Sequence, residues 1–279
     1  MEKICWENSN YENSQIVIIG IPDESQSHSL REGTSVAPDK IREISNLRDT
    51  YTRDGKKSLG YPFGGISKNV FDYGNITRQQ IPETICKIIS DSKIPIVIGG
   101  DHSLTRQILK QLAQKFRDIS LVYFDAHPDF VTSIHNYYGS VFGDVLEDID
   151  TNTSLQIGIR TPEKEESDNL TENQINVITP FDIAEKGILK ICNQILEKTG
   201  NFIYVSFDMD CIDPAQAPGV SVPVPMGISS IDVTYILKKI AQKGIIGMDI
   251  VEVCPPYDIN DRTSHLTSRM IGEIISSAK

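Results

Sequence analysis

At 279 residues the chain is long enough to bury a substantial core, and 39% hydrophobic against 23% charged residues is an ordinary balance for a globular protein. No run approaches the roughly 20 apolar residues that span a bilayer, and the N-terminus has neither a basic start nor an apolar stretch, so neither membrane insertion nor secretion is expected. A net charge of −11 disfavours nucleic acid and anionic membranes as partners, and five scattered cysteines without a C-x-x-C pair suit reduced thiols in the cytoplasm.

Short β-branched runs alternate with amphipathic stretches of helical length. A strand is predicted at 15–21, a helix at 38–47 with Pro38 in a first helical position, and a long irregular loop at 48–65. Next come a helix at 78–90, a strand at 94–98, a helix at 104–116 with Ser103 at its N-cap, and a strand at 119–124. A second long loop at 135–148 precedes strands at 155–159 and 175–178, a helix at 187–198 and a strand at 202–207. A helix at 230–242, capped by Ser229 or Ser230, a strand at 245–251 and a helix at 263–276 complete the order.

The runs 94–98 and 119–124 are almost continuously apolar, as strands buried on both faces must be. The pattern predicts an α/β fold: a mostly parallel sheet inside a three-layer αβα sandwich. No repeat, low-complexity tract or linker divides the chain, so residues 1–279 read as one domain.

Three strand ends deliver chemistry: Gly99-Gly100-Asp101-His102-Ser103, then Asp125-Ala126-His127-Pro128-Asp129, then Asp208-Met209-Asp210. In open α/β sheets ligands bind at the carboxyl ends of the strands, so all three should face one crevice. Each alone has a plainer reading, as a cap or a strand-to-helix turn. Together, His102, Asp125, His127, Asp129, Asp208 and Asp210 would repel one another and suffer heavy desolvation unless they surround cations. Alternate spacing in extended backbone would throw the members of each set to one side. The mixed oxygen and nitrogen donors suit two divalent ions, Mn²⁺ foremost, with zinc, iron, cobalt and nickel open. Such ion pairs can hold a hydroxide near neutral pH, which points to hydrolysis.

These clusters resemble the ureohydrolase family, which includes arginase, agmatinase and formimidoylglutamase, over nearly the whole chain. The likeness extends to Arg31-Glu32-Gly33-Thr34, to Ala37-Pro38-Asp39-Lys40-Ile41-Arg42, to the run 206–215 and to the agmatinase-like run 248–258. It implies an eight-stranded arginase-like sheet, a homo-oligomer and a manganese pair. His102, Asp125, Asp129 and Asp208 would hold one ion, and Asp125, His127, Asp208 and Asp210 the other. It also implies that Glu252 receives the guanidinium group and that Asp129 carries a proton to the departing amine.

Three departures bear on the substrate. Val131 stands where arginases have the asparagine that binds the α-carboxylate, and Tyr138 stands where many relatives have a shuttle histidine, leaving His135, Tyr138 or neither for that role. Residues 217–225 replace a more polar loop and make the pocket rim more apolar. The expected activity is release of urea and an amine from a guanidino group, with agmatine the leading small substrate. Arginine side chains in a peptide, a deacetylase-like amide hydrolysis and a metal-stabilised non-enzyme are the alternatives.

Overall fold

The computed structural model describes residues 2–47, 52–53, 56–57 and 68–279. Its strands are β1 (Ile16–Gly20), β2 (Thr52–Arg53), β3 (Lys56–Lys57), β4 (Val70–Asn75), β5 (Ile94–Ile98), β6 (Ile119–Phe124), β7 (Leu155–Ile157), β8 (Asn176–Ile178), β9 (Phe202–Asp208) and β10 (Gly247–Val251). Its helices are α1 (Ala37–Ser45), α2 (Ile81–Ser90), α3 (Leu104–Leu112), α4 (Val141–Asp144), α5 (Lys164–Glu172), α6 (Pro180–Lys186), α7 (Ile188–Lys198), α8 (Ser230–Lys243) and α9 (Arg262–Ser277). Among the described residues none of the helices is long and apolar enough to cross a membrane.

Eight strands pair in the order β4-β1-β5-β10-β9-β6-β7-β8, and every pairing in that sheet is parallel. Strand side chains alternate between two cores. Ile16, Ile18, Val122 and Phe124 face one layer, formed by α1, α7, α8 and α9, whereas Val17, Ile19, Leu121 and Tyr123 face the other, formed by α2, α3 and α4. Both faces are covered, which is why β1, β5 and β6 lack a polar side.

The eighth strand, β4, escaped the sequence reading because Asp72, Gly74 and Asn75 interrupt its apolar pattern. Asp72 is buried there for a reason. Arg42 of α1 grips it through Nε and Nη2, both at 2.9 Å, while the Ile4 and Gly74 N–H groups donate to the same carboxylate at 2.8 and 2.9 Å. A paired charge is the tolerable form of a buried one, so the clamp ties α1 to the sheet edge.

Helix α5 was also not anticipated: its sequence is almost wholly polar and only Glu166 is buried, so it carries no apolar stripe. Helix α6, seven residues long, is set instead by Thr179, whose hydroxyl accepts from Asp182 N at 3.2 Å, and by Pro180 at its start. The expected loop at 135–148 is a chain of short turns around α4. The expected loop at 48–65 lies outside the described residues apart from the β2–β3 pair. Ser229 caps α8 as anticipated, but Ser103 at the start of α3 makes no cap bond, its hydroxyl being drawn to Asp101 and Arg78.

Candidate metal centre

The four central strands β5, β10, β9 and β6 are neighbours, and each delivers part of the site at its carboxyl end. His102 follows β5, Glu252 follows β10, Asp208 ends β9 with Asp210 just beyond, and Asp125 follows β6. At about 4.8 Å per strand, the whole group spans about 14 Å of sheet edge. Convergence is therefore a product of topology, since residues 102 and 252 are far apart in sequence yet on adjacent strands.

The six expected ligand residues come together. His102 Nδ1 lies 3.0 Å from Asp125 Oδ2, 3.2 Å from Asp129 Oδ2 and 3.3 Å from Asp208 Oδ2. His127 Nδ1 lies 3.4 Å from Asp125 Oδ1 and 3.0 Å from Asp210 Oδ2. Two overlapping groups could thus each hold a metal ion, His102 with Asp125 and Asp129, and Asp125 with His127 and Asp210. All are buried except His127, which is partly exposed.

The backbone reaches this arrangement differently from the extended alternation expected. Asp125 Oδ1 accepts from the His127 N–H at 2.6 Å, and Asp208 Oδ1 accepts from the Asp210 N–H at 2.7 Å, so each cluster is a tight turn closed by its own carboxylate. Asp129 has φ +47 and Glu252 φ +63, left-handed conformations that cost a non-glycine residue about 1–3 kcal/mol each. Gly100 has its own constraint, because a Cβ there would meet the Asp23 carbonyl oxygen at 2.0 Å. The Asp101 carboxylate beside it turns away from the cage to Arg78 Nη2 at 3.2 Å and the Gln26 N–H at 3.0 Å.

The electrostatics of the side chains alone call for positive charge. Burial, then the charges of Asp129 and Asp210, push Asp125 up to about 7. Asp208 is driven well above the usual carboxylate range by burial and by Asp210 and Asp125. Burial depresses the two imidazoles, but the carboxylates outweigh it, raising His102 well above its ordinary value and His127 to about 12. Asp125 Oδ2 is buried with no well-directed hydrogen bond despite its nearness to His102 Nδ1. Protons cannot satisfy three carboxylate oxygens from one ring nitrogen, whereas a divalent cation can meet several oxygens and the nitrogen together. The donor set fits metal ions.

A polar layer beneath the cage orients it. His102 Nε2 lies 2.9 Å from Ser206 Oγ, whose hydroxyl donates to Asp249 Oδ1 at 2.8 Å, and Asp249 Oδ2 also accepts from Thr105 at 2.9 Å and Tyr204 at 2.5 Å. With Nε2 engaged on that side, Nδ1 faces the carboxylates, the side from which a metal ligand would coordinate. Tyr123 stacks on the His102 ring at 4.7 Å and donates to Asp129 Oδ2 at 2.6 Å. Ser206 and Asp249 fall inside the runs 206–215 and 248–258 that carry the resemblance, but the sequence assigned no supporting role to them, nor to Thr105, Tyr204 or Tyr123.

Glu252 is 2% exposed. Its Oε1 accepts from the His102 N–H at 2.7 Å and its Oε2 from the Ser221 hydroxyl. Burial, then the Asp101 charge, raise it to about 8. Ser221, the one polar side chain of the loop 217–225, turns inward to Glu252. His135 does not enter the site; it is exposed and lies 2.7 Å from Asp144. Tyr138 is half-buried, and Val131 is buried.

Residues 14–276 match the arginase family. The chain belongs to the arginase family. Among its relatives is an agmatinase of Neisseria meningitidis serogroup C, 34% identical over 89% of this chain and 82% of the relative. Among solved structures, the agmatine ureohydrolase of Thermoplasma volcanium superposes with a TM-score of 0.85 at 31% identity, covering 99% of this chain and 94% of that one. The proclavaminate amidino hydrolase of Streptomyces clavuligerus does so with a TM-score of 0.87 at 26% identity over 99% and 96%. The arginase-family motifs at 31–34 and 37–42 take structural roles here: Arg42 is the clamp on Asp72, and Gly33 and Thr34 donate to Glu24 at 2.7 and 2.8 Å. Likewise Asp258, at the end of the last motif, accepts from the Thr263 and Ser264 N–H groups at 2.9 Å and starts α9.

Proposed function

We propose that this protein hydrolyses the guanidino group of agmatine, releasing urea and an amine. The observation that carries the reading is Glu252: a buried carboxylate fixed on both oxygens and tied to the metal-ligand cluster by one 2.7 Å bond from the His102 N–H. Each carboxylate oxygen has two lone pairs, so both retain acceptor capacity toward the paired N–H donors of a planar guanidinium. Carboxylate and cage together would hold the guanidinium carbon over the cluster.

The donor set supports two divalent cations, manganese foremost. His102, Asp125, Asp129 and Asp208 would hold one, and Asp125, His127, Asp208 and Asp210 the other. Such ions supply the charge that makes a bound water strongly nucleophilic near neutral pH. Glu252 binds and orients the guanidinium. Asp129, whose Oδ2 accepts from the Tyr123 hydroxyl at 2.6 Å, would carry a proton to the departing amine. A single-metal amide hydrolase on this scaffold would not need His102 and Asp129 gathered with the rest, and a non-enzyme would need neither Glu252 nor its supports. Free cysteines at all five positions support a reducing, cytoplasmic setting, and the family likeness supports a homo-oligomer.

The test is a substrate panel of agmatine, arginine, 4-guanidinobutyrate, guanidine and an arginine-containing peptide, with urea as readout and metal content measured on the same sample. Urea from agmatine at about two ions per chain is the expected result. A metal-loaded protein silent on the whole panel would overturn the proposal.

A further inference from the structure

Beside the cluster, three aromatic rings from two loops meet. His28 stacks on Tyr137 with ring centres 5.2 Å apart and planes at 20°, and stands edge-on to Tyr138 at 6.2 Å; Tyr137 and Tyr138 are themselves edge-on at 5.7 Å. The turn that carries the tyrosines is built rigidly. Asp144 accepts from the Asn136 N–H at 2.9 Å and the Ser140 hydroxyl at 2.8 Å, and it pairs with His135 at 2.7 Å.

The turn is hung on the catalytic loops. Val131 donates to the Gly139 carbonyl at 3.2 Å and Phe142 to the Asp129 carbonyl at 2.9 Å, which places the turn directly beside Asp129. On its other side the Tyr138 N–H donates to the Gln26 carbonyl at 3.3 Å, and the Gln26 N–H in turn donates to Asp101 at 3.0 Å, next to His102. A Cβ at Gly139 would meet the Tyr137 ring at 2.8 Å, so the glycine lets that ring fold back over the turn. Burial, then the charges of Glu252 and Asp129, push the Tyr138 phenol up, consistent with a neutral ring close to both.

We propose that His28, Tyr137 and Tyr138 form an aromatic rim that selects the substrate's tail, taking a short aliphatic chain that ends in an ammonium group and refusing one that ends in a carboxylate. The inference rests on the guanidino-hydrolase reading. Aromatic faces carry negative quadrupole charge and attract a cation, and they also pack against methylenes. A carboxylate would meet no free guanidinium there. Among the described residues Arg78 is held by Asp23 and Asp101, Arg160 by the carbonyls of Gly158, Asp210, Val224 and Pro225, and Arg31 by the Val220 carbonyl and the Tyr257 ring.

The experiment compares kcat/KM for agmatine with that for n-butylguanidine, which has the same chain without the amine, in the wild type and in Tyr137→Leu, Tyr138→Leu and Tyr138→Phe. Binding of 1,4-diaminobutane to the metal-loaded proteins is measured by calorimetry alongside. The preference for agmatine and the affinity for the diamine should each fall by about fivefold to thirtyfold in the leucine variants, and Tyr138→Phe should keep both. Urea released with an unchanged preference in both leucine variants would overturn the rim and leave the hydrolase reading intact. No urea from the wild type, with diamine binding still dependent on the rings, would sustain the rim and sink the hydrolase reading. A wild type that prefers an arginine-containing peptide to agmatine would overturn the rim.

Discussion

The His102 N–H donates to Glu252 Oε1 at 2.7 Å, so the first residue of the candidate metal cluster, just after β5, also orients the carboxylate just after β10. The two proposed functions, holding metal and holding guanidinium, would be joined by this one hydrogen bond from a backbone N–H to a side-chain carboxylate. Their separation by substitution is therefore a direct test.

Glu252→Gln keeps the shape and the acceptor but loses the charge. Metal content should stay at the wild-type level while kcat/KM for agmatine falls by roughly 10²-fold or more, the loss expected for a buried charge-assisted pair. Elemental analysis and urea release on one preparation read both quantities. Wild-type turnover would remove Glu252 from the mechanism.

Asp125→Asn should behave oppositely. Asp125 sits within 3.4 Å of both imidazoles, so its loss should strip metal and turnover together. Urea formation that survives with full metal content would show that the bridging assignment is wrong.

Ser221→Ala removes the hydroxyl that donates to Glu252 Oε2. One hydrogen bond to a charged group is worth about 1.5–3 kcal/mol, so kcat/KM should drop roughly tenfold to a hundredfold, mostly through KM, with metal retained. Ser221→Thr should restore most of it. Equal losses in both variants would mean that packing, not the donor, matters.

The Arg42–Asp72 clamp predicts acid sensitivity of the fold. Burial raises Asp72, but the hydrogen bonds and charge of Arg42 outweigh it and leave the folded carboxyl below its ordinary value. Its stabilisation is fully present above the unfolded carboxylate range, around pH 4, and is lost as pH falls through the lower folded value. Asp72→Asn should cost about 3–5 kcal/mol at neutral pH by stranding Arg42. The gap in denaturant midpoint between variant and wild type should be widest at pH 7 and narrow progressively as pH falls below about 4, and a gap independent of pH would refute the assignment.

The residues gathered at the candidate metal centre were legible in the sequence because they follow the ends of apolar runs, where an aspartate or histidine has no core to join. Strands β5 and β6 were legible for the same reason, since burial on both faces removes alternation. Strand β4 was not, because its buried Asp72 makes sense only beside Arg42, thirty positions away. Helix α5 has nearly no apolar face and so left no periodic trace. The supports of the site, Asp249, Ser206, Tyr123 and Ser221, depend on which strands are neighbours, and spacing along the chain does not encode that.

Strand β10 is the last of the ten in sequence, yet it lies between β5 and β9 at the middle of the sheet. During synthesis, β5 and β9 must wait with open edges until residue 251 has emerged, and only then can the two halves of the sheet join. During synthesis, then, the carboxyl ends of β5 and β9 come into register only after β10 has docked between them, so the cluster is ordered late.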